Sequence, residues 1–181
     1  MTSLNLNIRL ANENDCALLL DFIKELALYE KRLESVTANE KDIYDLLFLK
    51  KTAQAIIAEL NKEPAGFALF FYNVSTFEGK CGIYIEDMYV RDEMRNKGIG
   101  KSMFSFIARH AINSGCSRLE WTVLKWNKSS INFYKNLGAL TKDEWDIYKL
   151  SGIALERLAC RKEVKMKRSQ GLQGQRYWKQ V

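Results

Sequence analysis

Two adjacent carboxylates interrupt an otherwise apolar run in this chain, Ile83-Tyr84-Ile85-Glu86-Asp87-Met88-Tyr89-Val90. A solvated edge strand carries acids freely, but a strand this apolar places two side by side only where it bulges or opens onto a cleft. A few residues on, Arg95-Asn96-Lys97-Gly98-Ile99-Gly100-Lys101 leads into an apolar-periodic segment. In the order strand, glycine turn, helix, unpaired N–H groups collect on one side and glycine lets a ligand approach that backbone, so the turn suits an anion. Arg95, Lys97 and Lys101 surround it with positive charge, which favours a phosphate-bearing ligand. The nucleotide-triphosphate loop is excluded, because Arg95 stands where its first glycine is required. The dinucleotide fingerprint fails as well, since its third glycine falls at Met103.

The elements around these residues can be read from periodicity and punctuation. Residues 4–10 alternate apolar and polar, as in a half-buried strand. Asn14 and Asp15 open an amphipathic helix with Leu19, Phe22, Ile23, Leu26 and Tyr29 on one face, running toward Glu30. Thr37-x-x-Glu40 has the form of a capping box for a second helix through Lys50. Residues 53–60 and 66–74 form an antiparallel pair around the turn Asn61-Lys62-Glu63-Pro64, and a loop over 75–82 precedes the central strand 83–90. A helix is predicted over 98–113, a strand over 119–124, and a helix over 128–137 capped by Asn127 and closed by Gly138. A last strand over 145–150 and a short helix over 153–159 complete a mixed α/β (α+β) sheet covered by helices.

At 181 residues, 47% apolar and 28% charged, the chain has the composition of a globular protein of one domain. No apolar run approaches the roughly 18 residues of a membrane span, and the N-terminus shows no secretion leader, so the expected location is cytoplasmic. Cys16, Cys81, Cys116 and Cys160 are scattered and His110 is the single histidine. We therefore expect four reduced thiols, no metal and no histidine-based nucleophile triad. The net charge of +6 resides in residues 161–181, which hold seven Lys or Arg against one acid, while residues 1–160 carry 21 of each sign. The expected organisation is one domain over 1–160 followed by a flexible basic tail over 161–181. That tail lacks a stacking pattern for bases, so no nucleic-acid partner is expected.

Residues 83–104 together with 125–139 (KWNKSSINFYKNLGA) resemble the GNAT family of acetyl-CoA-dependent N-acetyltransferases. Within it, YIEDMYV, RNKGIGKSMF, WNKSSINFYKNLGA and IKELALYE are most similar to diamine acetyltransferases, the spermidine/spermine enzymes and their thialysine-acetylating relatives. The resemblance spans about residues 8–159 and implies the GNAT fold, a mostly antiparallel mixed sheet splayed in the middle between 83–90 and 119–124. It implies acetyl-CoA as cosubstrate. Its diphosphate would lie on Arg95, Asn96, Lys97, Gly98, Ile99, Gly100 and Lys101, and its pantetheine arm would pair with the backbone of Met88, Tyr89 and Val90 as an added strand. Asn127, Lys128, Ser129 and Ser130 would line the far wall. A homodimer with active sites near the interface is also implied.

A primary amine with a pKa near 10 is protonated in neutral water and cannot attack a thioester. Glu86 is the expected base, directly or through one water. At ordinary strand periodicity Asp87 points to the other face and is structural, unless a bulge turns it. Tyr134, on a helix face opposite Phe133, is expected to protonate the departing thiolate and to touch the cosubstrate. For substrate binding the resemblance nominates Tyr29, Glu30, Glu86, Asp87, Glu120, Trp121 and Glu144. Ser75-Thr76-Phe77 lies closer to the thialysine type than to the polyamine enzymes, which leaves a short diamine, a polyamine or a lysine-like amino acid as the amine. A protein or peptide amine, or a non-catalytic acyl-CoA-binding regulator, are the competing readings.

Overall fold

The computed structural model describes residues 5–160, and the chain divides into two compact units, Met1–Ile131 and Asn132–Val181. The first unit contains one sheet in the order β1-β2-β3-β4-β5. β1 (Leu6–Leu10), β2 (Gln54–Leu60), β3 (Glu63–Ser75) and β4 (Lys80–Val90) are successive antiparallel neighbours, and β5 (Leu119–Trp121) lies parallel to β4. The expected mixed, mostly antiparallel sheet with flanking helices is thus present. Alternation along the strands sorts the core. Ala55, Ile57, Phe67 and Leu69 pack with Leu19 and Phe22 of α1 (Cys16–Tyr29) and Ile43 of α2 (Glu40–Tyr44). There Phe22 stacks on Phe67 with ring centroids 5.5 Å apart. The opposite parity meets α3 (Ile99–Asn113), where Phe70 touches His110 and Trp121 sits edge-on to Phe104 at 4.9 Å.

α4 (Lys128–Asn136) begins in the first unit and ends in the second, and α5 (Ile153–Ala159) lies wholly in the second. No described helix is long and apolar enough to cross a membrane.

Six expectations are corrected. The cap of the second helix is Asn39, not Thr37: its side chain accepts from Asp42 N while Asp42 takes the Asn39 N–H, the same reciprocal geometry with an Asx residue, which caps at least as well as threonine. α2 proper then stops at Tyr44 and continues as a π-helical turn, Asp45–Leu49. The 75–82 loop narrows to a turn over 76–79, because β3 and β4 extend until Ser75 pairs with Lys80. Residues 145–150 form no strand, and β5 ends at Trp121 rather than at 124. Finally, Cys81 and Cys116 are joined in a disulfide, leaving Cys16 buried and Cys160 exposed as thiols. The two cysteines are 35 residues apart in sequence. They meet because the parallel register sets Ile83 opposite Leu119, a proximity no local spacing motif announces. Closing a loop of that length contributes about 3–4 kcal/mol by the chain-entropy account. Disulfides are uncommon in the reducing cytosol, so the bond pulls against the cytoplasmic expectation.

Candidate active site

The paired acids sit on a bulge. Leu69 pairs with Asp87 while Phe70 pairs with Ile85, so Glu86 is the extra residue of β4. Inserting one residue shifts the parity of everything beyond it. Asp87 therefore shares a face with Leu69, and Tyr89 with Phe67, on the side of the sheet covered by α1. The bulge turns Asp87 away from the face that simple alternation assigns it. Glu86 is exposed and Asp87 half-buried. Burial, then the neighbouring charges of Glu86 and Glu30, push the Asp87 carboxyl up to about 6. Three of the expected substrate carboxylates, Glu30, Glu86 and Asp87, are therefore brought into one electrostatic cluster. Such a cluster attracts a cation and holds a group able to exchange a proton near neutrality.

β4 pairs with β5 over Ile83, Tyr84 and Ile85, and the two strands part beyond that point. The closed end of the gap is fastened by the disulfide and by a polar clamp on one face. Arg118 donates through Nε to Glu120 and through Nη2 to Asn73 Oδ1, and Asn73 Nδ2 donates to Glu120 at 2.7 Å. The Arg118 side chain lies against the bare face of Gly82. The Glu120 carboxylate is thus already paired by Arg118 and Asn73, and Trp121 packs on Phe104 of α3.

Past Val90, the chain enters the glycine turn. Arg91 anchors it: its guanidinium binds Glu25 at 2.7 Å, donates to the Pro64 carbonyl and lies over the Phe22 ring. Asn96 (φ 62°) and Gly98 (φ 79°) adopt left-handed conformations, which glycine takes without strain and asparagine more readily than other residues. A Cβ at Gly98 would meet no atom within 4 Å, so the conformation rather than space calls for glycine there. The first α3 hydrogen bond runs from Ser102 N to Gly98 O, which leaves the amides of Ile99, Gly100 and Lys101 as the unpaired start of a 15-residue helix. With Lys97 and Lys101 exposed beside them, these residues fit a diphosphate. Arg95 is otherwise engaged. Its Nε donates to the Val90 carbonyl at 3.0 Å, it pairs with Asp92 at 2.7 Å, and its guanidinium lies over the rings of Tyr29 and Tyr89.

On the far wall Asn127 is buried and caps α4, its Oδ1 accepting from Ser130 N and from the Tyr29 hydroxyl. Lys128 and Ser129 are exposed. Tyr134 and Glu144 belong to the second unit. The Tyr134 ring touches that of Phe133 at 5.5 Å, so the two are neighbours and not on opposed helix faces. Glu144 is exposed, next to an Asp143 that accepts from Thr141. Sequence reasoning missed Arg91, Glu25, Arg118 and Asn73. Arg91 meets Glu25 across 66 residues and Arg118 meets Asn73 across 45, and only the position of Arg91, directly after the strand end, hinted at a role.

A strand that parts from its parallel neighbour, a bulge carrying acids at the parting point, and a glycine-rich helix start beyond it make up the candidate site. The chain belongs to the acetyltransferase (GNAT) family, whose profile matches residues 19–139, and it is an acetyl-CoA-dependent N-acetyltransferase. Among its relatives is the thialysine N-epsilon-acetyltransferase of Bos taurus, 37% identical over 164 residues that cover 84% of this chain and 96% of the relative. The L-ornithine N5-acetyltransferase NATA1 of Arabidopsis thaliana is 29% identical over 195 residues, covering 82% of this chain and 86% of the relative. An integron cassette protein from the mobile metagenome of V. cholerae superposes with a TM-score of 0.73 at 27% identity, covering 86% of this chain and 98% of the other.

Proposed function

We propose that this enzyme acetylates the side-chain amine of a small lysine- or ornithine-like amino acid. The observation that carries this reading is the convergence of Glu30 and Glu86 on a half-buried Asp87, whose carboxyl burial first and the two neighbouring charges next raise to about 6. The printed activities of the thialysine and L-ornithine relatives support it. So does the pairing of Glu120 by Arg118, which neutralises a carboxylate that a long polyamine would need for its remote charges.

In the proposed reaction acetyl-CoA supplies the acetyl thioester. The helix-start amides at Ile99, Gly100 and Lys101 hold its diphosphate, and the β4 end at Met88, Tyr89 and Val90 orients its arm. Glu30 and Asp87 draw in the ammonium group, Glu86 accepts its proton, and Tyr134 donates a proton to the departing sulfur. One acetyltransferase domain over 1–160, followed by a basic tail, fits the match across 19–139. The expected four-thiol, cytoplasmic form would require Cys81 and Cys116 to be reduced.

A thiol-release assay with acetyl-CoA against putrescine, spermidine, spermine, lysine, ornithine, thialysine and a basic peptide tests the reading. The amino acids should give the highest kcat/KM, and Tyr134→Phe should lower kcat for the best of them about 100-fold. Preference for a polyamine or the peptide overturns the substrate, and intact turnover in Tyr134→Phe overturns the acid.

A homodimer is also proposed. In the second unit Leu140, Trp145, Ile147 and Tyr148 are each 73% or more exposed, and apolar side chains left so open support a partner contact. Light scattering should give twice the chain mass; a monomer at assay concentration sinks the dimer.

A further inference from the structure

The Arg118 guanidinium is held on two sides, by Glu120 through Nε and by Asn73 Oδ1 through Nη2. Its third nitrogen, Nη1, is buried and meets no acceptor among the described residues, whereas buried donors are nearly always satisfied. The group also lies close against the sheet, since a Cβ at Gly82 would stand 2.8 Å from Arg118 Cγ and 2.9 Å from its Cζ. Glycine leaves that space open. On β3, Leu69, Phe71 and Asn73 alternate onto one face, and their partners on β4 are Asp87, Tyr84 and Gly82. Glu120 stands beside Tyr84. Asp87 and the Arg118 clamp therefore lie along the same face with Tyr84 between them. Asn73, Tyr84, Arg118 and Glu120 are each only half-buried, so this part of the face can receive a ligand. From the Leu69 row to the Asn73 row the sheet runs about 13 Å. An extended lysine, about 7 Å from side-chain ammonium to carboxylate, spans the same distance with a hydrogen bond of about 3 Å at each end.

We propose that Arg118 binds the α-carboxylate of the amino-acid substrate through Nη1 and so selects amino acids over diamines of the same length. The assignment rests on the amino-acid substrate proposed for the same site. A guanidinium suits the task, because its planar fork, already fixed by Glu120 and Asn73, presents its remaining edge with little further loss of freedom. The two ends of the site then differ in character. Glu30, Glu86 and Asp87 attract the side-chain ammonium, and Arg118 receives the carboxylate. The reversed orientation would set a carboxylate among three acids, so the substrate is aligned with its side-chain amine toward Glu86. A diamine meets the acids equally well but leaves Nη1 unpaired.

Lysine, lysinamide and 1,5-diaminopentane carry the same reactive amine and differ in the carboxylate. In the wild type the KM for lysine should lie about thirtyfold below the other two. Arg118→Gln should raise the lysine value until the three agree within about threefold. A merely structural defect would raise all three together, and that result overturns the assignment. Arg118→Lys keeps a positive charge beside Glu120 and decides the matter if Arg118→Gln does not fold. One ammonium cannot serve Glu120, Asn73 and a substrate carboxylate in a single plane, so the lysine advantage should shrink to about threefold. An advantage that survives either substitution in full gives the carboxylate to another group. Equal KM values for lysine and lysinamide in the wild type overturn the role of Arg118 while acetylation of amino acids stands. If the wild type acetylates diamines and no amino acid, the proposed substrate fails too.

Discussion

Asp87→Asn is expected to make the protein more stable and less active at once. In the folded chain the Asp87 carboxyl titrates near 6 instead of its ordinary 3.8, so the folded state binds this proton more tightly than the unfolded state. Below about pH 4 both states are protonated and the residue imposes no penalty. Between about pH 4 and 6 the unfolded state ionises this carboxyl while the folded state, where burial, Glu86 and Glu30 disfavour the charge, keeps its proton, so stability falls across that window and levels off above it. Asparagine removes that penalty. Thermal melts should show a gain on the order of 2 kcal/mol above pH 7 that disappears below pH 4. Activity should move the other way. The amine kcat/KM of the wild type should break near pH 6 on its acid side, and Asp87→Asn should lose that break together with about 100-fold of kcat/KM at pH 8. Glu86→Gln removes one of the charges that raise Asp87, so in that variant the break should slide below 6 while kcat falls by about 100-fold or more. A break that stays at 6 in Asp87→Asn assigns it to another group and removes Asp87 from the proposed amine site.

The second large effect is expected at Gly66. This glycine pairs with Val90 on β4. A Cβ there would overlap the Tyr89 carbonyl oxygen and stand 3.1 Å from Val90 Cα. Both obstacles are main chain, which cannot swing aside as a side chain does. Gly66→Ala should therefore cost about 2–3 kcal/mol, a fall of roughly 5–10 °C in Tm. The displaced segment is also the strand end proposed to receive the pantetheine arm, so the KM for acetyl-CoA should rise about tenfold in protein that remains folded. Gly98→Ala is the informative contrast. The space there is open and only the positive φ resists, at about 1 kcal/mol. Equal destabilisation of the two variants would show that β3 and β4 separate easily at this point.

What the sequence disclosed is what local physics controls. The helix 99–113, the turn ahead of it and the short helix 153–159 follow from periodicity and glycine, which act over a few residues. The bulge was legible because Glu86 and Asp87 violate the pattern of their own strand. Its consequence for Asp87 was not, since parity beyond a bulge depends on which residue the partner strand skips, here between Leu69 and Phe70. Residues 145–150 carry strand-like types, but strand formation needs a neighbour to bond with, and none forms there among the described residues. The clamp of Asn73, Arg118 and Glu120 and the meeting of Cys81 with Cys116 are products of the crossover through α3, which brings residues 35 to 47 apart in sequence into contact.

That crossover has a mechanical result. With Cys81 bonded to Cys116 and Arg118 holding Asn73 and Glu120, β4 and β5 are riveted at one end. Any change in their separation has to pivot near Ile85, and the lever from there to Val90 is about 17 Å long. A tilt of only a few degrees at the rivet is thus amplified to about an ångström at the far tip. Admission of a bulky acyl carrier to the proposed slot is therefore expected to depend on small angles at this hinge.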